Sequence, residues 1–367
     1  MASNTRGILM FAHNNQEIDY IKLAIVNALL IQKHLLLTSE QITIITDQTT
    51  YDYALESLGE DMVNKSAQYM VTQTDVKFKY KNQRIYKDTY YSPKVLPFYN
   101  VNRCDAYELS PYDETILIDA DYLVLSDVLN TCWNSNNDVM MNWKFQDVCS
   151  DRKYQQLDRL DPLGITMYWA TVVYFRKGPE AESLFNIVKH VKDNRTHYSN
   201  LYKFNDSIYR NDYSFSIAAH MLSGFRDKGL AQLPFTLYKT FDTDDIYKAR
   251  GEKLYLYLEK ANAPGDFMLT KWVGTDIHIM NKWAFNRISD HLLEVAQSDE
   301  LEYFDSALKR EVLVSEDLAM PAVPVGGTEE VVEAEAEAEA EPSFTNVNDA
   351  LAAFKALQAA KKKANEK

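Results

Sequence analysis

Residues 115–128 read TILIDADYLVLSDV. Thr115 to Ile118 is a short β-branched and apolar run, the signal of a buried strand. The run stops at Asp119-Ala120-Asp121, and apolar sequence then resumes. Two carboxylates spaced i and i+2 at a strand end can flank one hard cation if the chain turns there. A surface turn would read the same way. Asp242-Thr243-Asp244 repeats the spacing in an irregular stretch, so spacing alone does not choose between them. Position does, because Asp119 follows a buried run.

Working outward, Gly7 to Ala12 (GILMFA) reads as a buried strand ending at polar HNNQE. Ile18 to Leu36 carries apolar residues at helical spacing without Gly or Pro, and Gln41 to Thr46 (QITIIT) reads as a second buried strand ending at Asp47. Strand, helix and strand so close together predict a right-handed parallel unit. Ligands in such sheets sit beyond the carboxyl ends of the strands, where residues 13–16 and Asp47 fall. Further along, Thr166 to Arg176, Lys253 to Leu258 and Asp276 to Met280 read as strands. Glu180 to Lys192, Asp212 to Leu222 and Ser289 to Ala296 read as helices. The fold class is therefore α/β, a mixed and mainly parallel sheet flanked by helices.

The composition is that of a globular chain, 46% hydrophobic and 25% charged, with a net charge of -14 that repels nucleic acid except at a local basic patch. Its 24 tyrosines offer flat rings with polar tips, although most serve as strand filler. Three cysteines without CxxC spacing disfavour a disulfide framework and a structural zinc site. No stretch reaches the length of a membrane span and the N-terminus lacks a secretory signal, so the expected location is the cytoplasm.

Three regions follow from composition: a globular part over 1–320, an acidic low-complexity linker over 321–345 that is expected to be disordered, and a helix over 346–367. In the last, Asn346 reads as an N-cap, and Val347, Leu351, Phe354 and Leu357 form one apolar stripe. The stripe fits either a docking peptide for a protein partner or a marginal helix without one. The one basic, aromatic-rich stretch is VKFKYKNQRIYKDTYYSPK over 76–94. Lys77, Lys79, Lys81, Arg84 and Lys87 would suit a nucleic-acid backbone, and equally a charged edge strand that discourages aggregation.

His278, in GTDIHIMNKWAF, is either a packed core histidine or a third cation ligand, with Lys282 four residues on. Taken in order, these signals resemble the GT-A (Rossmann-like) glycosyltransferases, specifically the glycogenin and lipopolysaccharide galactosyltransferase family, over roughly residues 7–290. The resemblance rests on AHNN with Tyr20 after it, YYSPKVLPF, ILIDADYLVLSDV, VVYFRKG, RNDYSFSIAAHML and HIMNK. It implies that Asp119, Asp121 and His278 ligate Mn²⁺ or Mg²⁺. It also implies that Lys282 and Lys94 clamp a diphosphate, that Ala12, Asn14, Tyr20, Asp47 and Ala120 hold the nucleotide of a UDP-sugar, and that Asp212 lies near the reacting carbon. The chain departs from that family in having YWATVV, with Trp169, where an Asn-x-Gly is usual, and Asp212-Tyr213 where an Asp-Gln pair is usual. RNDYSFSIAAHML and FAHNNQEIDYIKLA resemble tailed-phage proteins, which points to a hydroxymethylated pyrimidine in DNA as acceptor. A protein or a glycan acceptor is the alternative, as is a non-catalytic structural protein on the same fold. A nucleotidyltransferase would carry a glycine-rich basic loop near its N-terminus, and AHNNQE is not one.

Overall fold

The computed structural model describes residues 5–15, 17–72, 83–87, 93–149, 152, 158–160, 164–204 and 210–298, with the backbone alone for 83–87 and 93–95. The acidic linker and the helix over 346–367 lie outside these residues, as do Lys77, Lys79 and Lys81 and the side chains of Arg84, Lys87 and Lys94.

Six strands form the central sheet, in the order Gln68–Val71, Ile42–Thr46, Arg6–Phe11, Glu114–Asp119, Trp169–Arg176 and Val139–Asn142. The first four run parallel, while Trp169–Arg176 is antiparallel to both of its neighbours. Alternation along each strand divides the core into two layers. Ile8, Met10, Ile116, Ile118, Val172 and Tyr174 join the layer that contains the helix Tyr20–Leu35. Leu9, Phe11, Leu117, Val173 and Phe175 face the helices Pro179–Asp193 and Asn211–Leu222. The expected strand–helix–strand unit is present, with Ile8 to Phe11 paired to Ile42 to Ile45.

Register sets the working edge of the sheet. Phe11 is level with Ile45 on one side and with Asp119 on the other, so three strand ends finish together. Glu114 opens the Asp119 strand and is also buried, but it is spent on structure, meeting Arg6, Arg176 and the Tyr174 hydroxyl. The last helix begins at Lys282, not Ser289, because the Asn281 side chain accepts from the Ala284 N–H and caps it there. The strand read from Thr166 starts at Trp169. Two helices, Gln48–Leu58 and Glu60–Ser66, carry too little apolar periodicity to announce themselves. Among the described residues, no helix is long and apolar enough to cross a membrane.

One buried side chain ties the Tyr20–Leu35 helix to the turn after Asp119. Asn27 donates to the Ala120 carbonyl at 2.7 Å and accepts from the Val124 N–H at 3.2 Å. Asn27→Leu leaves both backbone groups buried without a partner. It should cost about 2–6 kcal/mol in urea unfolding, at roughly 1–3 kcal/mol per stranded group.

Candidate functional site

The chain reverses after Asp119, and Tyr122–Leu123 pairs antiparallel with Ile277–His278, placing His278 opposite Tyr122. The Ile279 N–H donates to the Asp121 carbonyl at 2.9 Å, which fixes the two segments in register. Ligand atoms of Asp119, Asp121 and His278 consequently lie within 4.8 Å of one another. His278 Nε2 lies 3.3 Å from Asp121 Oδ2, while its Nδ1 shares a hydrogen bond of 3.2 Å with the Thr171 hydroxyl. That outer contact orients the ring, as a second partner does for an imidazole ligand. Two carboxylates and an imidazole make a donor set that suits Mn²⁺ or Mg²⁺.

Cations converge on the same carboxylates. Lys282, at the start of its helix and 2% exposed, pairs with Asp121. Arg103, equally buried, pairs with Asp119, which stays about one-third exposed. Burial opposes ionisation of Asp121, but Lys282 and His278 outweigh it and hold that carboxyl well below the usual carboxylate range. Burial lowers the pKa of His278, with Asp121 opposing.

A cleft opens over this cluster, walled by Tyr20, Phe98, Asn100, Trp169, Arg210 and Asp212 among others. Asp212 is fixed at both oxygens, accepting from the Ala170 N–H at 3.0 Å and from Arg210 at 2.8 Å. Behind the wall, Lys239 is fully buried. Its Nζ stands 4.1 Å from the Trp169 ring centroid and 4.4 Å from that of Phe145. Its strand runs beside that of His278. Burial, with Arg210 and Lys282 nearby, brings its pKa down to about 7.

The sequence-derived residues fall in three groups. Asp119, Ala120, Asp121, Tyr20, Asp212, His278 and Lys282 line one cleft. Ala12, Asn14 and Asp47 share the working edge without lining the cleft. Asn14 closes its own loop onto Asp19 and the Ile21 N–H, and Asp47 caps the helix Gln48–Leu58. The side chain of Lys94 lies outside the described residues, and Arg103 joins Lys282 on the aspartate pair, at Asp119. Arg103 had no signal beyond its charge, and Lys239 had none, since a lysine on a short strand reads as exposed. His13 was also missed. Its Nδ1 bonds to Asn100 Oδ1 at 2.7 Å, and its Nε2 is buried with no hydrogen-bond partner among the described residues. The Thr46 hydroxyl, at the end of the next strand, is likewise buried without one.

The second Asp-x-Asp is structural. Asp244 accepts from Arg152 at both oxygens and from the Phe241 and Glu259 N–H groups.

No protein-family model matches this chain, and no curated protein matches it in sequence. Similar solved structures exist at low identity. The glycosyltransferase GlyE of Streptococcus pneumoniae TIGR4 aligns at 10% identity over 62% of this chain, with a TM-score of 0.36. The match covers 46% of GlyE, less than half its length. An active-site mutant of LgtC aligns at 14% identity over 64% of this chain and 72% of its own, with a TM-score of 0.35. Mouse xyloside xylosyltransferase 1 aligns at 11% identity over 60% and 83%, with a TM-score of 0.34. Likeness this distant assigns neither a family nor an activity.

Asp244→Ala leaves Arg152 paired with Asp147 alone and takes the acceptor from the Phe241 and Glu259 N–H groups. It should cost about 2–4 kcal/mol in chemical denaturation and leave Mn²⁺ affinity, read by calorimetry near neutral pH, unchanged.

Proposed function

We propose that this protein is a metal-dependent glycosyltransferase that moves a sugar from a UDP-sugar to an acceptor hydroxyl. The observation that carries this reading is the convergence of Asp119, Asp121 and His278 within 4.8 Å, at the carboxyl edge of a parallel sheet. Asp119, Asp121 and His278 would hold Mn²⁺ or Mg²⁺. A bound divalent cation supplies positive charge to the diphosphate leaving group. Lys282 and Arg103 are preorganised cations beside it, so their charge costs little rearrangement as negative charge develops. Lys94 is assigned to the same diphosphate on the resemblance alone.

For the nucleoside, Tyr20 offers a ring on the cleft wall, with Ala12, Asn14, Asp47 and Ala120 along the same edge. The buried acceptor His13 Nε2 and the Thr46 hydroxyl suit a base that presents both an N–H and a carbonyl, as uracil does. Asp212 is the carboxylate assigned to the reacting centre. Both of its oxygens already accept hydrogen bonds, which favours a fixed negative charge there over proton removal. The acceptor we assign is a hydroxymethylated pyrimidine in DNA, on the resemblance to phage sequences and the lysines of residues 77–87.

Incubation with Mn²⁺ and a panel of nucleotide sugars, with and without hydroxymethylated DNA, tests the proposal through released nucleoside diphosphate. Release should require Mn²⁺ and fall at least ~100-fold in Asp119→Ala/Asp121→Ala, consistent with losing several kcal/mol of transition-state stabilisation. Asp212→Asn should abolish transfer while sparing UDP binding. Failure of every donor to react or to bind in the presence of Mn²⁺ would rule the enzyme out. Release that DNA does not stimulate keeps the transferase and discards the DNA acceptor.

A further inference from the structure

A second cleft, of about 470 Å³, lies away from the aspartate cluster, lined by Arg159, Tyr202, Lys203, His220, Phe225 and Asp227 among others. His220 sits on the same helix as Asp212, eight residues on, or about 12 Å along the axis at 1.5 Å per residue. Its ring is edge-on to Tyr202 at 6.3 Å and to Phe225 at 5.3 Å. Phe225 is 65% exposed, an unusual position for a phenylalanine in water. It is held there by a built turn in which Gly224, Phe225 and Lys228 all have positive φ. The Ser223 hydroxyl braces that turn by donating to the His220 and Arg226 carbonyls.

Charge separates the possible occupants. Among the described residues Asp227 is the one carboxylate lining the cleft, and it is engaged by the Thr166 hydroxyl and by Arg159 at 3.9 Å. Arg159 and Lys203 line the same cleft, and Arg226 and Lys228 flank Asp227 on the surface. The positive track continues to Trp143, whose ring lies 4.2 Å from Lys228 Nζ and 4.6 Å from Lys144 Nζ. Trp143 directly follows Asn142, the cross-strand partner of Trp169 in the wall of the first cleft. An aromatic and cationic strip on a chain of net charge -14 favours an anionic ligand with flat rings over a neutral glycan. Burial lowers the pKa of His220, with Asp227 opposing, and so keeps the ring neutral and available for stacking.

We propose that this strip binds single-stranded nucleic acid, with a base against Phe225 and Tyr202 and the backbone along Lys203, Arg159 and Lys228 towards Trp143. Exposed rings that stack successive bases beside cations that follow the phosphates are the general chemistry of such sites. The strip would guide an acceptor strand to the aspartate cleft, which rests on the transfer reading, but binding itself needs neither donor nor metal.

The test is fluorescence anisotropy of a labelled oligodeoxynucleotide of roughly 12 nucleotides with the full chain in EDTA. Phe225→Leu, which keeps an apolar side chain but removes the ring, should weaken binding on the order of tenfold. Lys203→Gln and Arg159→Gln should each weaken it and flatten its salt dependence by close to one released counterion. All three positions are exposed, so melting temperatures should stay near the wild-type value. Wild-type affinity in all three variants would place the strand elsewhere, on the lysines of residues 77–87, and overturn the proposal. Absence of oligonucleotide binding would also overturn it, as would equal competition by a mononucleotide or by a neutral oligosaccharide. Because donor and metal are left out, none of these outcomes depends on whether the chain transfers sugar.

Discussion

A carboxylate buried at the centre of the fold sets the terms for everything around it. Asp121 is 5% exposed, and an ionised carboxylate so placed is costly unless cations and donors meet it. The compensating groups come from far along the chain: Lys282 from the start of the last helix and His278 from the strand before it. Satisfying one charge therefore obliges the end of the described fold to close over its middle. Asn27 adds the third side of this restraint, tying the first helix to the backbone on either side of Asp121. Removing any of the three loosens the same turn.

The parallel half of the sheet was legible because its signals are local. GILMFA, the helix after it and QITIIT each carry their own periodicity, and both strands end in polar residues. TILIDAD was legible for the same reason, and its position after a buried run separated it from Asp242-Thr243-Asp244. The structure gives that separation a cause, since Asp244 is consumed by Arg152 and two backbone N–H groups. Arg103, Lys239 and His13 were not legible. Nothing local distinguishes a buried basic side chain from an exposed one, and each acquires its environment only from segments distant in sequence. The late start assigned to the last helix has a different origin. Lys282 starts that helix while also reaching Asp121, so a residue with a charge partner elsewhere read as loop.

The antiparallel strand Trp169–Arg176 explains how a parallel sheet gains a wall beside its working edge. Running against its neighbours, it begins where the Asp119 strand ends, so Trp169, Ala170 and Thr171 stand next to the aspartates. From there one strand performs three tasks. Thr171 orients His278, the Ala170 N–H holds Asp212, and the Trp169 ring covers Lys239. The resemblance to glycosyltransferases departs from its family pattern in this same stretch. A tryptophan packed against a buried lysine stands where that pattern has its Asn-x-Gly.

Assembly of the cluster from residues 119, 121 and 278 has a consequence for the life of the chain before it is complete. A polypeptide emerging from the ribosome displays the aspartate pair long before His278 exists. Contacts that join positions so far apart form late, after the loop between them has been closed. The nascent chain therefore passes through much of its synthesis with the cluster incomplete and Asp121 without the two groups that compensate it. The cluster is complete only when the segment Ile277–Lys282 docks, and a product truncated before it lacks both His278 and Lys282 beside Asp121.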